Sequence, residues 1–221
     1  MPDKTLNGFR DSSTGASQFS ALKFVIRRYL GKVRTATIVK VLAVTNDGGV
    51  SPVGLVDIQP LVEQTDGAGN VTALPPIYGV PYMRIQGGTD AVILDPKIGD
   101  LGIALFGDRD LSVVKSTKDT GPPGSSRRNS LADALYIGGL LNGTPVQYVQ
   151  FESSGITVKS PTKVTIEAPT VAVQGDMTVS GTVVTQSTIT ASGEVKSGSI
   201  GLQAHHHTAQ GATAPTTAAQ P

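Results

Sequence analysis

Apolar and polar residues alternate along residues 155–204. Ile156 and Val158 share parity with Val164, Ile166 and Ala168. After Pro169 the phase slips by one, so that Val171, Val173, Met177, Val179, Val183, Ile189, Ala191 and Val195 all fall on odd positions. Val184 interrupts the pattern, and Ile200 with Leu202 marks a second slip. Nearly every residue is β-branched, small or Gly, which suits a pleated backbone and suits a helix poorly. A period of two predicts strands with one face buried. No Phe, Tyr or Trp follows Phe151, so that face is thin. Thin isolated strands are marginal in water and need a partner. Three copies wound about one axis would bury three thin faces and leave no sheet edge open. The expectation is an intertwined homotrimeric rod; the alternative is a set of ordinary hairpins packed on the rest of the chain.

The N-terminal half reads differently. Residues 1–16 are polar and rich in Gly and Ser. Phe19, Leu22, Val25, Ile26, Tyr29 and Leu30 then recur at helical spacing, with Ser17 or Ser20 as candidate cap and Gly31 as stop. Lys23, Arg27, Arg28, Lys32 and Arg34 crowd that region, as a solvated face or a basic docking surface. Strands are expected over residues 35–45, 54–61, 80–86, 91–94 and 101–106, with a turn at Asn46-Asp47-Gly48-Gly49. Five or so short strands with Gly/Pro turns predict a small closed barrel such as an OB-fold. Asp108-Arg109-Asp110 reads as a charge cluster at a turn. Ser130 is a candidate cap for a helical turn over residues 131–135. Ser112-Val113-Val114-Lys115 matches a Ser-x-x-Lys string in what reads as β context, and such a short string carries no catalytic inference.

Charge and composition narrow the function. The net charge is +1 and charged residues make up 16% of the chain, so no basic field points to nucleic acid. Cysteine is absent, which removes disulfide and thiolate chemistry. The first residues lack the apolar core of a secretory signal, which predicts a soluble chain not exported by the common route. The acidic residues sit singly or beside turns, so the paired carboxylates of a glycosidase are not expected. The expectation is a protein that is not an enzyme and takes no small-molecule substrate.

All three histidines are consecutive, His205, His206 and His207. On an extended chain His205 and His207 point the same way and His206 the opposite way. One chain then offers two ligands, an incomplete site, whereas a threefold trimer offers six imidazole nitrogens. Six nitrogens suit an octahedral first-row ion such as Fe(II), Ni(II) or Co(II) and disfavour tetrahedral zinc. Strict alternation from Ile200 and Leu202 would send His206 inward instead; a backbone turn at the tip would restore the phase, and the sequence shows none.

Three features together carry a resemblance: the segment GDLGIALFGDRD, the segment RRNSLADALYIGGL, and an alternating small-residue repeat ending in His-x-His. Over about residues 30–208 the chain resembles the central spike proteins of contractile-tailed phages, and more narrowly the membrane-piercing spikes with an N-terminal OB-fold barrel. The resemblance implies an all-β chain: arm and short helix over 1–30, OB-fold-like barrel over 31–145, trimeric β-helix shaft over 146–204, and metal-capped tip over 205–221. It implies one ferrous ion per trimer held by His205 and His207 of each copy. It implies a virion location at the tail tip, with tail hub, tube or baseplate proteins as partners and a bacterial outer membrane as target. The rival reading is a trimeric receptor-binding fibre or adhesin that recognises a cell-surface ligand.

Overall fold

The computed structural model describes residues 15–65, 70–203 and 205. Strand predominates over helix, so the fold is all-β in class. The chain divides after Pro161 into two units.

The first unit opens with helix α1, Gln18–Leu30. The Ser17 hydroxyl accepts from the Ser20 amide at 3.1 Å, and Gly31 ends the helix with its amide on the Arg27 carbonyl. The apolar stripe from Phe19 to Leu30 is exposed, and only Ser20, Ala21 and Phe24 of the helix are partly covered. The strands that follow are β1 (Ala36–Val44), β2 (Leu55–Pro60), β3 (Gln64–Thr65), β4 (Val71–Thr72), β5 (Ile77–Pro81), β6 (Ile85–Gly87), β7 (Asp90–Val92) and β8 (Leu101–Phe106). Helix α2 (Ser112–Thr117), a 3-10 turn (Leu131–Asp133) and β9 (Ala134–Gly138) come next, and the hairpin β10 (Tyr148–Glu152) and β11 (Gly155–Lys159) completes the unit.

Five strands form one antiparallel sheet in the order β5-β2-β1-β8-β9. The sheet curls into a half-barrel, and one isolated bridge links the segment after β5 to β9. Tyr82, just beyond β5, forms a parallel bridge with Tyr136 of β9, and the Met83 amide donates to the Tyr136 carbonyl at 2.9 Å. Inward-facing residues alternate as a half-buried sheet requires. Val39 and Val41 on β1, Val56 and Ile58 on β2, and Ile77 and Val80 on β5 meet Tyr82, Ala104, Ala134 and Tyr136 in one core. The Tyr136 ring dictates the small residues opposite it: a Cβ on buried Gly102 would lie 2.5 Å from the ring and 2.6 Å from the Ile137 carbonyl oxygen.

Several expectations need correcting. The single strand over residues 80–86 is two, β5 and β6, separated where Tyr82 enters the core. Ser112–Thr117 is helical and not β. Asp110, one residue before the Leu111 N-cap, accepts from the first helical amide, Ser112, at 2.9 Å, and Lys115 donates to the carbonyls of Ala132 and Ala134 at 3.2 and 3.1 Å. These contacts outweigh the β-branched preference of Val113 and Val114. The turn after Ser130 is shorter than expected: it is a 3-10 turn over Leu131–Asp133, with the Ser130 hydroxyl accepting from the Ala132 amide, and Ala134 and Leu135 already belong to β9. The β10–β11 hairpin lies in the first unit. One face of that hairpin carries Val149, Phe151, Ile156 and Val158 in opposed pairs, all exposed.

In the second unit the alternating residues do not pair with one another. Among the described residues, 163–194 form no strand ladder and no backbone–backbone hydrogen bond. Bends fall at 169, 175, 180–181, 186–187 and 192–193. The only ladder among the unit's described residues is a short hairpin, β12 (Lys196–Ser197) with β13 (Ile200–Gly201).

Candidate functional site

The hairpin β12–β13 leads to the first histidine. Gly198, with φ of 64°, makes its turn, and the Leu202 amide returns to the Val195 carbonyl at 2.7 Å. The chain then turns again. The His205 amide donates to the Gly201 carbonyl at 3.0 Å, and the Glu194 carboxylate accepts from the Gln203 amide at 3.0 Å. That carboxylate lies over Gly201, where a Cβ would come within 2.9 Å of its Oε1. The alternation that reaches Leu202 therefore does not run on into His205.

The imidazole of His205 is oriented by the same turn. Its Nδ1 lies 2.9 Å from the Leu202 carbonyl oxygen. A carbonyl only accepts, so Nδ1 carries the proton and the lone pair is on Nε2. A backbone carbonyl on one ring nitrogen is the usual arrangement behind a histidine that ligates through the other. The donor chemistry of His205 thus fits a metal ion. His206, His207 and the tail expected to close the tip lie outside the described residues, so the pairing of His205 with His207 rests on the sequence. Among the described residues no three His, Cys, Asp or Glu side chains converge within one chain.

The first unit holds two charged clusters that the sequence did not reveal. In one, Asp110 and Asp133 share Arg127. The Arg127 Nε donates to Asp133 Oδ2 at 2.8 Å, and its Nη2 reaches Asp133 Oδ1 at 2.9 Å and Asp110 Oδ1 at 2.7 Å. Asp133 also accepts from the Leu111 amide at 2.8 Å, and Asp110 from the Ser125 hydroxyl at 2.7 Å. Asp110 is therefore a buried anchor; of the expected turn cluster only Asp108 and Arg109 remain exposed, 3.8 Å apart. Hydrogen bonds from Ser112 and Ser125, aided by the Arg127 charge, pull the Asp110 carboxyl down to about 2. The Arg127 guanidinium likewise lowers Asp133 against the opposing effect of burial. Neither carboxyl is poised to donate a proton near neutral pH. Beside them a cleft of about 350 Å³ is lined by Arg109, Pro123, Ser125, Ser126, Arg127 and Arg128.

In the second cluster Tyr82 and Arg84 both donate to Asp95 Oδ1 at 2.6 Å, and Arg84 Nη1 donates to the Ser51 carbonyl at 2.6 Å. Burial raises Asp95, but the two hydrogen bonds and the Arg84 charge outweigh it and the net shift is downward. This cluster ties the loop after β1 to the segments after β5 and β7.

In comparisons with known proteins, no family model and no curated sequence matches the chain.

Proposed function

We propose that the chain is a structural, cell-puncturing spike of a contractile phage tail, acting as a homotrimer and not as an enzyme. The observation that carries this reading is the unpaired state of residues 163–194 in one chain. Fixing one residue's backbone costs about 1–2 kcal/mol. Burying a Val or Ile side chain returns about 1.5–3 kcal/mol. Here the apolar side chains, Val171 to Val195, remain exposed. A single extended chain therefore cannot hold itself, while three intertwined copies satisfy both the backbone groups and the apolar face.

The strand circuit β1-β2-β5-β9-β8, with its parallel contact between Tyr82 and Tyr136, supports an OB-type barrel as the base of the spike. The barrel, with the basic residues around α1, would seat the shaft on tail hub, tube or baseplate proteins. At the far end His205 and His207 of three copies would hold one ferrous ion near the axis. Bound there, the ion supplies cross-linking of three chain ends and no reaction chemistry. With Nδ1 of His205 on the Leu202 carbonyl, Nε2 is the nitrogen that would ligate, and Glu194 bonds the Gln203 amide of the same turn. The work of crossing a bacterial outer membrane comes from the sheath, and the shaft's part is to resist buckling.

Native mass spectrometry of the full chain, with elemental analysis of the same sample, tests this reading. A trimer with one iron supports shaft and tip together. A metal-free trimer removes the metal tip, and a monomer removes the spike.

A further inference from the structure

The bends of the second unit are evenly spaced. Their positions 169, 175, 181, 187 and 193 differ by six, and the sequence repeats with them: PTVAVQ, GDMTVS, GTVVTQ, STITAS, GEVKSG. The third position of each hexad is Val171, Met177, Val183, Ile189 and Val195, apolar every time and between 44% and 74% exposed. The first position has the same parity as the third and fifth, yet it is Pro169, Gly175, Gly181, Ser187 or Gly193. Simple alternation would treat these three positions alike. The sequence does not.

Within one chain nothing explains two of these glycines. Gly181 and Gly193 lack a left-handed φ, and a Cβ on either would meet no atom within 4 Å. Glycine is also kept where another backbone comes close. We infer that the shaft is built from six-residue modules whose third positions face two further copies of this chain, which pass close to the first positions. This rests on the trimeric reading above. A surface that repeats every six residues is met at every module only by a surface of the same period, and another copy supplies one. The charged residues of these hexads, Asp176, Glu194 and Lys196, occupy second and fourth positions, so the odd face carries no charge for an ionic partner.

The consequence is that shaft length is quantised in sixes and not in twos. The test uses two deletions in the full chain, residues 181–186 and residues 181–184, each assayed by native mass spectrometry and by resistance to dissociation in denaturant. Both deletions preserve the two-residue alternation, but only the first preserves the hexad. The expected result is a resistant trimer for the six-residue deletion and a weakened or monomeric product for the four-residue one. Equal tolerance of both, or loss of the trimer in both, overturns the module while a trimeric parent chain keeps the spike reading. A monomeric parent chain overturns both. As a second check, Gly181→Leu should weaken the trimer and Thr182→Leu should not; the reverse order also overturns the inference.

Discussion

The Nδ1 of His205 sits 2.9 Å from the carbonyl oxygen of Leu202, three residues earlier in the chain. The bond uses the backbone of Leu202 and leaves its side chain exposed. It puts the ring proton on Nδ1, so in the neutral imidazole Nε2 is the nitrogen that would ligate the proposed ion. Substituting His205 with Ala should abolish bound iron by elemental analysis while native mass spectrometry still shows a trimer. Leu202→Ala should leave the metal content unchanged, because the carbonyl persists. Retention of iron in His205→Ala would remove this residue from the tip.

Glu194 is the supporting residue of that turn, through its bond to the Gln203 amide. Loss of a group that orients a metal ligand commonly weakens binding by about 10–100-fold. Glu194→Ala should therefore lower iron affinity in a chelator competition while leaving the trimer intact. An unchanged affinity would mean the turn holds without it.

The Asp110–Arg127–Asp133 cluster gives the first unit a pH dependence whose sign follows from the lowered carboxyls. Both carboxyls are lowered on folding, Asp110 to about 2. Their contribution is thus complete above the ordinary carboxylate value of about 4 and is lost as pH falls through the lowered values. Thermal unfolding followed by the near-ultraviolet signal of the tyrosines should show the first unit weakening between about pH 4 and 2. Asp110→Asn should flatten that dependence. An identical pH profile in the variant would show that the cluster is not its source.

Gly102 lies under the Tyr136 ring. Gly102→Ala places a methyl group 2.5 Å from the ring carbon of a fully packed core. Overpacking of this kind costs about 1–3 kcal/mol. Denaturant unfolding should report a loss of that size, and a double variant with Tyr136→Phe should not recover it, since the ring remains. A neutral Gly102→Ala would mean that Tyr136 can move aside.

Features set by local chemistry were legible in the sequence. The Ser17 cap and Gly31 stop of α1, the strand β8 over residues 101–106, and the turn after Ser130 all follow from short-range rules and stand in the structure. What escaped depends on contacts between distant residues. Arg127 meets Asp110 across seventeen positions, and Tyr82 meets Asp95 across thirteen. No spacing rule links such pairs. Helix α2 was hidden because Val113 and Val114 favour strands, and Asp110, which accepts from its first amide, looked like part of an exposed charge cluster. The hexad was hidden for an arithmetical reason: six is a multiple of two, so alternation alone masks it until the bends mark every third pair. Of the candidate ligands, His205 is positioned by a turn that strict alternation did not contain.

The central claim is that residues 163–194 are paired with other copies of the chain. Amide hydrogen exchange on the full protein tests it most directly, because one chain offers these amides no backbone acceptor among the described residues. Strong protection is expected from about Pro169 to Val195, lost together when the trimer is dissociated. Exchange across that stretch as fast as in an unstructured peptide would contradict it.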